Sequence, residues 1–297
     1  MHIVVTGGSG FIGRALCRTL QADGHTLTVL SRSPARHAQD LRPATVTQSL
    51  ESVTAVDAIV NLAGASLFDG RWTAARKQEI RNSRLQTTEH LVRWVAAQSA
   101  SERPRCIVSG SAVGYYGDCG AQKVDESFPS GTDFAAQLCK DWEIQAMRLA
   151  DLGLRVSTAR TGIVLGEGGA LPRLQHLFSF GLGSTFGDGA YWMSWIHIAD
   201  QVRLLQWLLT HGQSGPYNAT APFPVTNAEF SHLLARAMRR PCWFSIPKCA
   251  ITLGLGEASS VLMSSARVIP QRAQTEGFAF DYPDLEAALR QLIPQKL

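Results

Sequence analysis

Thr6-Gly7-Gly8-Ser9-Gly10-Phe11-Ile12-Gly13 decides the fold of this chain, because this stretch joins a β-rich run to an amphipathic one. In such a turn Gly7 lets the chain leave the strand, and Gly10 lets backbone N–H groups approach a pyrophosphate. Gly13 lets the following helix pack closely on the sheet. The N-terminus of that helix offers free donors and a positive dipole end to an anion. The pattern therefore predicts a dinucleotide site that includes Thr6, Gly7, Gly10, Phe11, Ile12 and Gly13.

Strands and helices alternate through the first half of the sequence. The predicted strands are His2 to Thr6, Thr26 to Ser31, Val46 to Gln48, Ala58 to Leu62, Cys106 to Gly110 and Arg155 to Arg160. The predicted helices between them are Phe11 to Ala22, Thr73 to Ser99 and Asp133 to Leu152. Because each crossover helix must cover a face of the sheet, this order predicts an α/β fold: a Rossmann-type doubly wound parallel sheet.

Past Thr161 the pattern changes. Glycine-rich turns such as 166–169, 181–183 and 187–189 separate shorter helical segments, and prolines punctuate the remainder. We expect a dinucleotide-binding domain over residues 1–165 and a smaller, mixed substrate-side lobe over 166–297. The two are expected to interleave rather than to fold separately.

Composition narrows the class of protein without naming an activity. A chain of 297 residues with 45% hydrophobic residues and a net charge of +4 is an ordinary globular protein, and no basic block favours nucleic acid. Its apolar runs are shorter than the ~20 residues of a membrane helix, and no signal peptide precedes the first strand. Its six cysteines form no CxxC pair, which indicates free thiols in a reducing compartment. We expect a cytoplasmic protein without a metal site.

The end of the second strand favours NADP over NAD. An NAD site usually places a carboxylate there, whereas this strand ends in Ser31, Arg32 and Ser33, with Arg36 one helical turn further on. Cations and hydroxyls suit a 2′-phosphate, so we expect NADP (NADPH) as the cofactor; the alternative is a solvated loop face. Further cofactor residues are expected at the ends of later strands, at Asn61, Leu62, Ala63, Gly64 and Ser109.

Several stretches occur in the order found in one protein family. They are Arg71-Trp72, Ser83-Arg84, 109–118 (SGSAVGYYGD), 138–143 (LCKDWE), 160–165 (RTGIVL), 195–200 (WIHIAD), 215–218 (GPYN) and Glu276-Gly277-Phe278. With the glycine loop they resemble the extended short-chain dehydrogenase/reductase superfamily, in its NAD-dependent epimerase/dehydratase branch. Within that branch the chain is most similar to the atypical YfcH-type "epimerase family" proteins, whose substrate is uncertain. The resemblance runs over nearly the whole chain.

The resemblance implies chemistry with a serine, a tyrosine and a lysine four residues after the tyrosine. The lysine lowers the pKa of the phenol, so that the phenolate takes a proton while hydride leaves to the nicotinamide. Ser111 matches the serine, but Ala135 and Cys139 stand at the tyrosine and lysine positions when Glu143 is aligned with the family glutamate. Lys140 is one residue away, roughly 100° around the helix. The standard acid/base pair is missing, as it is in the YfcH-type subgroup.

Other side chains are candidates for the lost role. Tyr115 and Tyr116 follow the strand that bears Ser111, so either is a candidate acid/base, with a packing ring as the alternative. Ser111 alone either takes part in catalysis or only orients a ligand oxygen. Cys139 is a nucleophile only if Lys140 lowers its pKa; buried thiols on helices usually pack as small residues.

A substrate pocket is expected to be lined by Arg71, Trp72, Arg84, Trp195 and His197. For the aromatic residues the alternative is core packing, and for His197 it is a structural hydrogen bond. Arg84 either reaches a phosphate or holds a carboxylate such as Glu143.

Two functions follow from these observations. The first is an NADP-dependent oxidoreductase or epimerase-like enzyme with a non-standard proton donor and a small-molecule substrate. The second is a non-catalytic NADP-binding sensor or scaffold, which the missing tyrosine and lysine favour. By analogy with related folds, a homodimer is expected.

Overall fold

The first half of the molecule alternates strands and helices in a computed structural model that describes residues 1–293. Its elements are β1 (His2–Thr6), α1 (Phe11–Ala22), β2 (Thr26–Leu30), α2 (Pro34–His37), β3 (Thr45–Thr47), β4 (Ala58–Asn61), α3 (Ala74–Ala96), β5 (Cys106–Ala112), β6 (Lys123–Val124), α4 (Phe134–Met147) and β7 (Arg155–Thr161). A 3-10 turn, Val113–Tyr116, follows β5. The predicted strands and helices are all present, with ends that differ by a few residues.

The second half contains shorter elements. They are β8 (Ile163–Leu165), α5 (Leu171–Ser179), β9 (Gly183–Phe186), β10 (Trp192–Met193), β11 (Trp195–His197), α6 (Ile198–Thr210), β12 (Gly215–Ala219), β13 (Val225–Thr226), α7 (Asn227–Met238), β14 (Cys242–Ile246), α8 (Lys248–Leu255), α9 (Ser259–Met263), β15 (Arg267–Val268), α10 (Gln271–Thr275) and α11 (Leu285–Leu292). Small two-stranded sheets, parallel for β8 with β11 and for β9 with β14 but antiparallel for β10 with β13, give this lobe its mixed character.

The central sheet has seven parallel strands in the order β12-β7-β5-β4-β1-β2-β3. The strand order therefore reverses direction between β1 and β4, which confirms the doubly wound Rossmann-type sheet. In open sheets of this kind, ligands bind outside the carboxyl ends of the strands at the point of reversal. The glycine loop follows β1 directly, so it lies at that point.

Two elements from beyond residue 165 complete the central sheet and the helices that cover it. β12 pairs with β7 at the edge of the sheet, and α6 packs beside α1 on one of its faces. On the opposite face α3 and α4 cover the sheet with side chains that include Leu91, Val95 and Ala146. Residues from beyond the predicted boundary at residue 165 therefore take part in the central sheet, and the division into two domains stays a prediction.

Polar side chains begin the long helices where the sequence predicts them to start. Thr73 caps α3 by accepting a hydrogen bond from Arg76 N, and Asp133 caps α4 by accepting one from Ala136 N. Each cap satisfies one of the backbone donors that have no partner inside the helix. These two helices are the ones that bring Arg84 and Glu143 to the carboxyl side of the sheet.

A buried carboxylate fastens the C-terminal segment to α6. Asp200 is fully buried, and it accepts hydrogen bonds from Asp281 N and Tyr282 N, both at 2.8 Å. Arg203 Nη1 lies 3.0 Å from the same carboxylate. A buried charge needs partners of this kind, because desolvation otherwise makes it costly.

We expect Asp200→Asn to lower the free energy of unfolding by about 3–5 kcal/mol, because the amide replaces an acceptor with a donor in a buried cluster. The matched control is Asp281→Asn, which removes a carboxylate that is 55% exposed and pairs with the same Arg203. That change should cost less than about 1 kcal/mol. Urea unfolding measures both variants. Equal losses would contradict a structural role specific to Asp200.

Candidate functional site

The glycine loop leaves the start of α1 open to a ligand. Gly7 has φ +69°, and a Cβ there would lie 2.6 Å from the carbonyl carbon of Leu62. A Cβ on Gly13 would lie 2.2 Å from the oxygen of Gly7. Gly10 stands at the N-cap without a side chain that bonds to the first turn. The loop therefore needs glycine at these positions, and it fits an anion at the helix N-terminus.

Three of the predicted cofactor residues form a buried network under this loop. Thr6 Oγ1 donates to Asn61 Oδ1 at 2.7 Å, and it accepts from Ala63 N at 3.2 Å. Asn61 Nδ2 donates to Thr88 Oγ1 at 2.9 Å and to Ser109 Oγ at 3.3 Å. Thr6, Asn61 and Ser109 are at most 1% exposed. Their contacts join the ends of β1, β4 and β5 and position the segment Leu62 to Gly64.

The other predicted cofactor residues lie at or near the surface around this network. Ser31, Arg32 and Ser33 follow β2, and the Ser31 hydroxyl accepts a hydrogen bond from Ser33 N at 3.2 Å. Arg32 is exposed and makes no ion pair within residues 1–293. Phe11 is half-buried, with its ring against Gly166, Gly168 and Gly169 of the second lobe, while Ile12 packs at the edge of the core.

Ser111, the residue that matches the family serine, is hydrogen-bonded to a carboxylate. Its Oγ donates to Glu143 Oε1 on α4 at 2.6 Å. Arg160 on β7 holds both oxygens of Glu143, from Nε and from Nη2, each at 2.8 Å. The side chains of Arg160 and Glu143 are only 4% and 12% exposed. A bidentate pair of this kind fixes the orientation of the carboxylate.

Sequence reasoning missed Glu143 and Arg160 as site residues. Of the two alternatives for Arg84, the one in which it holds Glu143 is wrong, because Arg160 pairs with both oxygens of that carboxylate. Arg160 stands in a β-rich run, where its neighbours gave no sign of a buried charge. The signal that was present is an arginine within a β-rich run, because an arginine that becomes buried there is almost always paired.

The two tyrosines differ in what surrounds them. Tyr116 is 2% exposed, its hydroxyl donates to Asn218 Oδ1 at 2.6 Å, and it accepts from Arg160 Nη1 at 2.9 Å. Burial raises the pKa of Tyr116 well above its usual value, with Arg160 acting in the opposite direction. The hydroxyl is therefore enclosed by Asn218 and Arg160, and the catalytic role of Tyr116 stays a prediction. Tyr115 is half-buried, and its ring lies 3.5 Å from the Arg160 guanidinium carbon.

Cys139 and Arg84 occupy the region that the missing lysine would serve. Cys139 is buried, and burial raises its pKa to about 11, with Glu143 adding to the rise and Arg84 opposing it. Arg84 donates to the carbonyls of Ala65 and Ile80. Its guanidinium carbon would lie 2.9 Å from a Cβ on Gly64, so the cation lies directly against the end of β4. Arg84 pairs with no carboxylate in the described part of the chain.

Arg71 and Trp72 belong to the loop between β4 and α3, which contacts the second lobe. Arg71 Nη2 donates to Leu253 O at 2.5 Å, and Lys77 pairs with Glu257. Trp72 is 8% exposed, and its indole donates to Leu67 O. These contacts join the loop to the segment around α8 on one side of the carboxyl end of β4.

Trp195 and His197 lie in the interior rather than on a pocket wall. Trp195 is fully buried, and its indole nitrogen donates to Phe223 O at 3.1 Å. His197 caps α6 by accepting from Ala199 N, stacks on Tyr282 and contacts Gln291. Burial lowers the pKa of His197, because desolvation disfavours the charged ring. Trp195 therefore packs in the core and His197 makes structural hydrogen bonds, which were the respective alternatives to lining a pocket.

Residues 1–293 contain neither a metal-ligand cluster nor a membrane-spanning helix. No group of three or more His, Cys, Asp and Glu side chains there is arranged to hold a metal ion. No helix in the same range is long and apolar enough to cross a membrane.

Comparison with known proteins agrees with this geometry. Residues 3–220 match the model of the NAD-dependent epimerase/dehydratase family, and residues 246–292 match a domain of unknown function, DUF1731. An epimerase family protein of Mycobacterium leprae is 41% identical over 97% of this chain and 94% of its own length. The Bacillus subtilis epimerase family protein YfhF is 37% identical, with 100% and 99% covered.

Solved structures give the same fold. A crystal structure of the human epimerase family protein SDR39U1 with NADPH superposes with a TM-score of 0.90 at 32% identity, covering 99% of each chain. A UDP-glucose 4-epimerase from Thermotoga maritima reaches 0.80 at 18% identity, covering 99% of this chain and 97% of its own. At that identity the second match concerns the fold alone.

We expect Cys139 to resist alkylation by iodoacetamide at pH 8 while Cys249 reacts. A thiol with a pKa near 11 is ionised in only about one molecule in a thousand at that pH, and the thiolate is the nucleophile. Cys249 is exposed. Peptide mapping by mass spectrometry measures both, with urea-unfolded protein as the control in which both react. Rapid labelling of Cys139 in the folded protein would restore it as a candidate nucleophile.

Proposed function

This chain belongs to the NAD-dependent epimerase/dehydratase family, and from that premise we propose that it is an NADP(H)-dependent oxidoreductase acting on a small molecule. The observation that carries the proposal is the hydrogen bond from Ser111 to Glu143, which links the family serine to a carboxylate. In this proposal the pair takes over proton transfer in the absence of the tyrosine and lysine. The cofactor, when bound, supplies or accepts the hydride.

The residues of the glycine loop fit a dinucleotide. Its pyrophosphate would lie at the open N-terminus of α1, beside Gly7 and Gly10, where backbone donors are free and a Cβ would fill the space. The exposed Arg32, with the hydroxyls of Ser31 and Ser33, suits the 2′-phosphate of NADP. The human relative was solved with NADPH, which supports the same choice here.

Arg84 supplies a permanent positive charge to the same region. Its guanidinium lies against Gly64 at the end of β4, at the point where the sheet order reverses. The cation therefore reaches the site from α3, whereas the family lysine would come from the Cys139 position on α4. Because no carboxylate neutralises it among residues 1–293, Arg84 is suited to an anionic or oxygen-rich part of the ligand.

Proton transfer follows from the direction of the hydrogen bond. Ser111 Oγ donates a hydrogen bond to Glu143, and the lone pairs of the same oxygen can accept a proton from a substrate alcohol. As hydride leaves the substrate carbon, the alcohol proton passes to Ser111 and the serine proton passes to Glu143. The products are a carbonyl compound and a protonated Glu143; carbonyl reduction runs the same steps in reverse. Arg160 acts as a positioning residue, since it holds the carboxylate through both oxygens.

The competing function is an NADP-binding sensor without catalysis, which the missing tyrosine and lysine favour. The enzyme would convert a substrate and the sensor would not, whereas both would bind NADP. The expected homodimer and the cytoplasmic location stay predictions from the sequence.

We expect Arg32→Asp to weaken NADPH binding by about a hundredfold while changing NADH binding by less than about threefold, because only NADPH carries the 2′-phosphate. Fluorescence titration of purified protein measures both dissociation constants, after a check for cofactor that co-purifies. Arg18→Asp, an exposed change in the middle of α1, is the matched control. Equal losses for the two cofactors would contradict the assignment of the 2′-phosphate site.

Once a panel of sugar nucleotides, carbonyls and quinones gives a substrate, Glu143→Gln and Ser111→Ala should each lower kcat by about a hundredfold or more. The NADPH dissociation constant should change little in either variant, since neither residue contacts the cofactor in this proposal. Glu102→Gln, an exposed surface change, is the control.

Full turnover in both variants would remove Ser111 and Glu143 from the mechanism. Tight NADPH binding without turnover across the panel would instead favour the sensor.

A further inference from the structure

A cavity of about 370 Å³ lies beside the small sheet formed by β6 and β15. It is lined by the cations Lys123 and Arg267, the amides Gln271 and Gln274, and an apolar wall of Phe223, Ile269 and two prolines. The lining contains no carboxylate. It also shares no residue with the glycine loop or with the Ser111 cluster, so it is separate from the site proposed above.

The two cations are neighbours on adjacent strands. Arg267 pairs in register with Lys123 in the parallel sheet, so both side chains leave the sheet on the same side. Like charges placed side by side repel each other. Within residues 1–293 neither cation takes part in an ion pair. The nearby Glu126 is already occupied, because its two oxygens accept from Asn218 N and Arg272 N.

Arg267 packs on an aromatic ring beside the cavity. Its guanidinium carbon lies 4.3 Å from the centre of the Trp192 ring, so the side chain is anchored on an aromatic face. Its Nε is buried and has no hydrogen-bond partner among the described residues. Buried donors are normally satisfied, so an unpaired one in this position is unusual.

We propose that this cavity binds a phosphomonoester with a small apolar group. Two cations match the charge of a phosphomonoester, which is close to −2 at neutral pH. The guanidinium and the Gln274 amide supply donors for its oxygens, as does the second N–H of Gln271, whose first N–H donates to Thr275 Oγ1. Phe223, which is 63% exposed, and the prolines beside it give the apolar group a surface. Arg267, Gln271 and Gln274 lie in the segment matched by DUF1731, so the proposal assigns that segment a ligand.

Calorimetric titration of phenyl phosphate into the full-length protein saturated with NADPH tests the proposal, because the added NADPH covers the other proposed phosphate site. Inorganic phosphate and benzoate are the comparison probes, one without the apolar group and one with a single charge. We expect phenyl phosphate to bind with a dissociation constant below about 1 mM, and each comparison probe to bind more weakly. Arg267→Gln should weaken binding by about tenfold or more.

Arg18→Gln, which removes an exposed arginine on α1, should leave phenyl phosphate binding unchanged. The melting temperature of Arg267→Gln and its affinity for NADPH show whether that variant is folded. If Arg267→Gln is unfolded, Lys123→Gln takes its place with the same expected loss. No binding of phenyl phosphate by the wild-type protein, or equal binding by wild type and the variants, would overturn the proposal. If NADPH itself does not bind, the same titrations without it still separate the two sites, because the loss in Arg267→Gln is specific to the cavity.

Discussion

The buried ion pair between Arg160 and Glu143 is the interaction on which the arrangement beyond the sheet depends. Arg160 stands on a central strand with its side chain only 4% exposed, so its charge must be matched inside the protein. Glu143 provides the match from α4, and the same guanidinium contacts both Tyr115 and the hydroxyl of Tyr116. Because the buried charge of Arg160 needs these partners, it fixes α4, the turn after β5 and the end of β7 relative to one another.

A second polar network fixes the other half of the carboxyl edge. Asn61 uses both ends of its amide, and with Thr6 and Ser109 it joins three parallel strands at the point where their order reverses. The network lies beneath the loops that a cofactor would contact, and it holds Leu62 and Ala63 against Gly7. Rigid strand ends of this kind allow short, glycine-rich loops to keep a shape suited to binding.

The fold was largely predictable from the sequence because local signals agree with each other. The glycine loop, the N-caps Thr73 and Asp133 and the buried strand β5 each indicate the same α/β order, and the elements appear close to their predicted bounds. The role of β12 was not predictable, since pairing with β7 connects residues nearly 60 positions apart. Trp195 and His197 were assigned to a pocket because a motif shows residue types and not burial.

By itself, the sequence determined the parallel sheet, the open helix N-terminus and the absence of the tyrosine and lysine pair, all of which depend on residues adjacent in the chain. Only the tertiary structure decided which charges meet. Arg160 pairs with Glu143, which also accepts from Ser111, so Arg84 lies against Gly64 with no carboxylate partner among residues 1–293. The physical reason is that desolvation acts on three-dimensional neighbours: a buried charge selects its partner by distance and geometry, neither of which spacing along the chain records.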